Sequence, residues 1–454
     1  MSAVTSDLPE TRSSSAEKVR GSLARRHAAE RRFKAIGMLA VILGLSFVAI
    51  LFATVLRKGV PAFWQTTVTL PVHFDPAVVK VPPMPAPQAG QSPAAYQEEL
   101  TAWRTMLAGA NWGRLIENAL LAELPPEAAS RRRDVQRLVT SSERFRLRDM
   151  VERDPGIIGQ TVTVTLLADA NVDIWMKGNV DRSLSDAQLA LNPEQRRYVD
   201  TLNEKGLMQQ SFATALFLNV DSRASPASAG LAGAFVGSLF MMLIVIVLSV
   251  PIGVAAAIYL EEFAPKNRLT DLIEININNL AAVPSIVFGL LGAAVFINWI
   301  GLPLSAPLVG GLVLTLMTLP TIIITTRATL RAIPPSIRSA AVGLGASRVQ
   351  TVAHHVLPLA LPGILTGTII GVAQALGETA PLLLIGMSAF VASVPATPLD
   401  QSTALPVQIY LWQGNELRNF FEGRTSAAII VLLSLMIALN ALAIFLRRRF
   451  ERRW

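Results

Sequence analysis

Between Ile275 and Thr326 the chain contains no Asp, Glu, Lys or Arg. A helix that crosses a bilayer needs about 20 consecutive apolar residues, so this one run is long enough for two crossings, with a turn at Gly301, Pro303 and Pro307. Four further segments meet the same condition: Ile36 to Leu56, Leu231 to Leu260, Pro362 to Gly386 and Ala427 to Leu446. Only 16% of the 454 residues are charged, too few for an ordinary soluble chain of this length. The expected fold class is all-α integral membrane, with six transmembrane helices placed in a lipid bilayer. Cysteine is absent, which excludes a disulfide framework and a thiolate metal site.

A net charge of +8 would suggest nucleic acid in a soluble protein. Here the basic residues stand in blocks beside apolar segments, where they set orientation, and no nucleic-acid partner is expected. An N-terminus on the inside satisfies every block: Arg25, Arg26, Arg31, Arg32 and Lys34, then Lys266 and Arg268, then Arg327, Arg331, Arg338 and Arg348, and last Arg447 to Arg453. The expected organisation is a cytoplasmic basic tail at 1–35, a first transmembrane helix at 36–56 and a periplasmic insertion at 57–226. A core with five transmembrane helices follows at 227–446, with a cytoplasmic loop at 331–361, and a cytoplasmic tail closes the chain at 447–454. The first apolar run exceeds the about 7–15 residues of a signal-peptide core, which favours a retained anchor over a cleaved signal. Within the insertion, the Pro-rich stretch from Pro71 to Pro93 reads as an extended linker. The charged stretch from Arg131 to Arg153 reads as helical, and Thr161 to Leu167 alternates like a strand. An α/β or mixed domain is expected there, with no catalytic spacing in it.

The loop after the fourth span carries Arg338, then small residues at Ala340, Ala341 and Gly345, then Leu357-Pro358 at a fixed distance. Small side chains let another protein's surface approach a helix backbone closely, and a glycine lets the chain turn away. This pattern resembles the EAA loop of ABC-importer permeases, with two departures: the motif's acidic position is Ser339, and His355 stands near the Leu-Pro pair. Three more stretches narrow the resemblance: Tyr259 through Thr270 with Glu261, Glu262 and Pro265, Asn279 through Gly289 with Pro284 and Ser285, and Gln374 through Leu383 with Gly377, Glu378, Thr379 and Pro381. Together they resemble the phosphate permease subunit of such importers, over about residues 227 to 446. The resemblance implies a fold of the type I importer permease kind, with residues 331–361 forming a coupling helix that docks on an ATPase. It further implies a second homologous permease subunit, a cytoplasmic ATPase dimer and a periplasmic phosphate-binding protein as partners, in a bacterial inner membrane. Permeases for other oxyanions, molybdate or sulfate, form the alternative within this class. A membrane-anchored sensor is the alternative outside it.

Glu378 is the only Asp, Glu, Lys or Arg between His355 and Asp400. An acidic residue at the centre of a spanning helix costs about 2.5–3.5 kcal/mol and marks a functional position by default. On a helix that continues to Gly386, Gln374 lies one turn before Glu378 on the same face. Gly363, Gly367 and Gly371 extend that face as a small-xxx-small series suited to close helix packing. Gln374, Glu378 and Thr379 are therefore candidates for a substrate path, the competing reading being a buried acid that pairs with a neighbouring subunit. In the resembling family the position of Gln374 is usually Arg, so a cation here would come from the partner subunit. His354 and His355 are adjacent and diverge on a helix, which excludes a shared metal. No G-x-x-x-x-G-K-[ST] phosphate cradle occurs, nor any triad or paired-carboxylate constellation. The chain is expected to bind no cofactor, to have no catalytic residues and to leave ATP hydrolysis to a partner.

Overall fold

The computed structural model describes residues 15–87, 89–180, 183–389 and 391–450. The ends of the two basic tails, 1–14 and 451–454, lie outside the described residues. The chain divides between Arg57 and Lys58 into two compact units. In the first runs α1 (Ser15–Gly59), which carries an apolar span. Its apolar residues from Ile36 to Leu56 are exposed except for the half-buried Val55.

The second unit holds the insertion and the core. The insertion is built on a three-stranded antiparallel sheet in the order β2-β1-β3, formed by β1 (Trp64–His73), β2 (Thr161–Leu167) and β3 (Met208–Phe212). The alternation at Thr161–Leu167 thus forms the expected strand. The Pro-rich stretch differs from the expected linker, because Pro71 lies inside the central strand, opposite Thr163. A proline is tolerated there because it lacks only the N–H. Thr69 donates to Leu207 on the β3 side, so Pro71, two residues on, faces the point beyond which β3 no longer pairs. Val68, Leu70 and Val72 are fully buried. They pack under α2 (Pro93–Gly109), α3 (Trp112–Glu123), α4 (Glu143–Arg153) and α5 (Pro193–Glu204), whose Trp103, Leu115, Leu147 and Tyr198 share the same core. The charged stretch at 131–153 is helical only in part: short turns end at Gln136 and α4 begins at Glu143.

The core follows as α6 (Ala232–Ile258), α7 (Arg268–Ala281), α8 (Ser285–Gly292), α9 (Pro307–Ala332), α10 (Pro335–Gly343), α11 (Leu357–Gly377), α12 (Ala380–Leu384), α13 (Leu405–Gln413) and α14 (Arg418–Phe450). Five helices among the described residues are long and apolar enough to cross a membrane, and the count reaches six if one bent pair is a single span. That pair is Arg268–Ala281 with Ser285–Trp299, bent by 101°. The third crossing was expected as one straight helix from Ile275. It breaks because Pro284 has no N–H for the helix ladder and keeps Val283 out of the helical region. The turn after it contains Gly301 at φ +82°, where the sequence places it. α9 is the axis of the core: α6 and α11 both pack along it.

Candidate translocation path and coupling surface

α11 starts at Leu357, five residues before the expected Pro362, and stops at Gly377. Its end has a local cause, since Pro381 supplies no N–H to the carbonyl of Gly377. Glu378 is extended at φ −75°, ψ 130°, and α12 begins at Ala380. The expected continuous helix to Gly386 is therefore absent, and Gln374 and Glu378 do not stack as neighbouring turns. At about 1.5 Å per residue, Glu378 stands at the far end of this crossing, farther along than a helix starting at Pro362 would put it. Gln374 is exposed, while Glu378 and Thr379 are half-buried. Among the described residues the Glu378 carboxylate has neither an ion pair nor a hydrogen bond.

The glycine face of α11 meets α9. A Cβ on Gly363 would lie 2.4 Å from Thr329 Cγ2, one on Gly367 2.2 Å from Thr325 Oγ1, and one on Gly371 3.5 Å from Ile322 Cγ1. The first two positions admit no side chain without displacing Thr329 or Thr325 of α9. A backbone contact joins the two broken helices, for a Cβ on Gly289 of α8 would come 2.6 Å from Pro381 Cα of α12. The segments that follow the breaks at Pro284 and Glu378 thus pack against each other. In membranes, interrupted helices of this kind occur where backbone is buried in protein or lines a polar cavity.

On the opposite side of the core, α10 presents an exposed surface. Ala341 is buried beneath it, while Ala340 and Gly343 are exposed, and Leu344 is 89% exposed. Gly345 turns the chain at φ +92°, a conformation that suits glycine. Ser347 then caps the next short turn by accepting from Gln350 N–H at 3.2 Å. Leu357 and Pro358 are half-buried at the start of α11. Arg338 was expected at the docking surface, but its guanidinium is used inside the chain. Nη2 donates to Glu262 Oε1 at 2.6 Å and to the Leu330 carbonyl at 2.9 Å, and Nη1 donates to the Ile333 carbonyl at 2.8 Å. The Glu262 carboxylate bonded to it holds the Arg338 pKa above its ordinary value. Beside it, Glu261 accepts from Arg331 at 2.9 Å and pairs with Arg327 at 3.3 Å, and Glu274 accepts from Arg327 at 2.8 Å. This network ties α7, the end of α6 and the end of α9 together.

Residues 249–454 match the family described as binding-protein-dependent transport system inner membrane component. Residues 20–186 match a domain of unknown function (DUF3333). A Bacillus subtilis protein described as a probable ABC transporter permease is 34% identical over 179 residues, 39% of this chain and 59% of its own length. The phosphate transport system permease protein PstA of Xylella fastidiosa is 31% identical over 232 residues, 48% of this chain and 76% of its own length. This chain belongs to the binding-protein-dependent transport permeases. A PstA from Mycobacterium leprae is 34% identical over 46% of this chain and 68% of its own.

The permease also contains a buried cation that sequence reasoning missed. Arg424, in the first turns of α14, is 2% exposed. It donates to the carbonyls of Ala229 and Ala227, both at 3.0 Å, and to Gln65 Oε1 of β1 at 2.9 Å. Gln65 in turn donates to the Ala227 carbonyl at 2.6 Å. One guanidinium therefore joins the last span, the insertion sheet and the strap that leads into α6. The available signal was the run of small residues around it, Gly423 and Thr425 to Ala428, which lets other backbone come close.

Proposed function

We propose that this permease forms the translocation path of an ATP-driven importer for inorganic phosphate. The observation that carries the substrate is the match to PstA proteins over 76% of the Xylella relative's length. The reading takes the N- and C-termini as cytoplasmic and residues 57–226 as periplasmic, in agreement with the basic blocks. A second homologous permease subunit, an ATPase dimer and a periplasmic phosphate-binding protein complete the assembly. Ala340, Ala341, Gly345, Leu357 and Pro358 shape the ATPase dock, and Arg338 holds that dock to α6 and α9. Exposed Val342, Leu344 and Val349, grouped within eight residues of this loop, support this, because a group of exposed apolar side chains marks an interaction surface. Gln374, Glu378 and Thr379 line the path at the helix break. Hydrogen phosphate carries a proton that it can donate to a carboxylate such as Glu378, and sulfate at neutral pH does not.

The test is purification of the tagged chain in detergent, followed by reconstitution of whatever assembles with it and measurement of ATP-dependent uptake of radiolabelled phosphate. An ATPase and a second permease in the preparation, with uptake resistant to excess sulfate and molybdate, are expected. Uptake that sulfate or molybdate abolishes would reassign the substrate. A chain that purifies without an ATPase would overturn the transport reading.

A further inference from the structure

The base of the insertion domain exposes a ladder of aromatic rings. Phe63 stacks on Phe217 with centroids 5.8 Å apart, Phe217 stacks on Phe212 at 5.7 Å, and Phe212 meets Trp64 edge to face at 6.4 Å. Phe63 is half-buried against the core, and the other three rings are exposed. Phe212 is 53% exposed and Trp64 44%, and the adjoining Leu218 is 73% exposed. A continuous apolar patch of this kind marks an interaction surface.

Chain connectivity fixes where the patch lies. Phe63 follows four residues after α1 ends at Gly59. Gly59 lies against α14, where a Cβ on it would come 2.8 Å from the Ser426 carbonyl carbon. At the other end, Phe217 and Leu218 belong to a short helix pinned to the start of α6: Leu231 N–H donates to the Leu216 carbonyl at 2.7 Å and Ala232 N–H to the Asn219 carbonyl at 3.0 Å. The Ala213 N–H closes the loop by donating to the Phe63 carbonyl at 2.8 Å. The ladder thus lies where the starts of α6 and α14 meet the insertion. These attachments hold it near the membrane edge, and aromatic rings concentrate at that depth in membrane proteins.

We propose that the ladder Trp64–Phe212–Phe217–Phe63, with Leu218, is seated in the headgroup and upper acyl region of the phospholipid leaflet that faces the insertion domain. The domain then rests on the bilayer as well as on its own spans, and the Arg424 clamp fixes the angle at which it does so. This inference does not depend on which anion is transported.

The absence of cysteine allows a clean test. The full chain carrying Leu218→Cys, purified with its partners and reconstituted into phosphatidylcholine nanodiscs, is labelled with a nitroxide. Collision with oxygen is compared with collision with a water-soluble nickel chelate, and Glu204→Cys on the exposed end of α5 serves as the aqueous reference. Oxygen collisions that exceed nickel collisions at Leu218, with the reverse at Glu204, are expected. Nickel access at Leu218 equal to that at Glu204 would place the patch in water and overturn the proposal. Exclusion of both reagents would place a protein there instead and also overturn it. If labelling at Leu218 disturbs folding, Trp64 gives a second measurement. Its fluorescence, taken as wild type minus Trp64→Phe, is expected to fall by more than half in nanodiscs of acyl-brominated lipid, and an unchanged difference signal would overturn the proposal equally.

Discussion

Glu262, one turn beyond the end of α6, grips Arg338 of α10 at 2.6 Å, and the same guanidinium caps the carbonyls of Leu330 and Ile333 at the end of α9. α10 is therefore a rigid extension of two spans. Hydrogen bonds to charged groups contribute about 1.5–3 kcal/mol each, and the Glu262 side chain is only 9% exposed. Arg338→Gln is expected to leave the chain in the membrane but to lower transport while raising ATP hydrolysis that is not tied to uptake. Glu262→Gln should act alike, because it loosens the same joint. The ratio of phosphate moved to ATP hydrolysed checks this, and an unchanged ratio in both variants would remove the coupling role of the pair.

Arg424→Met tests the clamp on the other side. Methionine fills much of the volume but leaves the Ala229 carbonyl and the Gln65 oxygen without their donor and the Ala227 carbonyl with the Gln65 amide alone. Buried acceptors left unpaired cost about 1–3 kcal/mol each, well above a typical point substitution at about 1 kcal/mol. Limited proteolysis of the full chain should show faster cutting between residues 213 and 231 and within β1. Equal cutting rates would mean that the insertion is held by packing alone.

How much of this was legible in the sequence depended on how far apart the cooperating residues lie. The strand at Thr161–Leu167 carries its own alternation, whereas β1 contains Pro71 and finds its partner strands only about 90 residues or more later, so local pattern alone hid it. The glycine series at 363, 367 and 371 was readable because its spacing is local to one helix. The break at Glu378 lies inside an unbroken apolar run, and its only local cause is Pro381, a residue that spanning helices often tolerate. The bond from Arg338 to Glu262 could not be read from the sequence, because the two residues are 76 apart, a separation that no periodicity reveals.

Glu143 supplies a pH test of the insertion domain. Burial lifts its pKa above the ordinary 4.5, with Arg146 opposing the shift. The folded chain therefore holds this proton more tightly than the unfolded chain does. Stability from this group is complete at low pH and declines as pH rises from about 4.5 through the raised value. Glu143→Gln, which keeps the shape and cannot ionise, should resist pulse proteolysis better than wild type at pH 7.5 and equally at pH 4.5. A variant less resistant at both pH values would mean that the charged carboxylate stabilises the fold.

Glu378 is expected to serve the translocation path rather than fasten helices together. Its carboxylate has no partner among the described residues, it sits where α11 has already ended, and the helix that follows packs through Pro381 on the broken span at Gly289. A residue fastening two helices of this chain would show its partner, and a charge kept at the end of a crossing without one is available to a passing ion. Glu378→Gln retains size and hydrogen-bonding shape while removing the charge, so packing should survive. The variant is expected to assemble in normal amount and to lose at least about tenfold in uptake rate, equivalent to about 1.4 kcal/mol. Uptake near wild type in Glu378→Gln, together with reduced subunit assembly in Glu378→Ala, would instead make the residue a hydrogen-bond partner for a neighbouring subunit. Assembly and uptake measured on the same preparations separate the two outcomes, because the path role changes the second without the first.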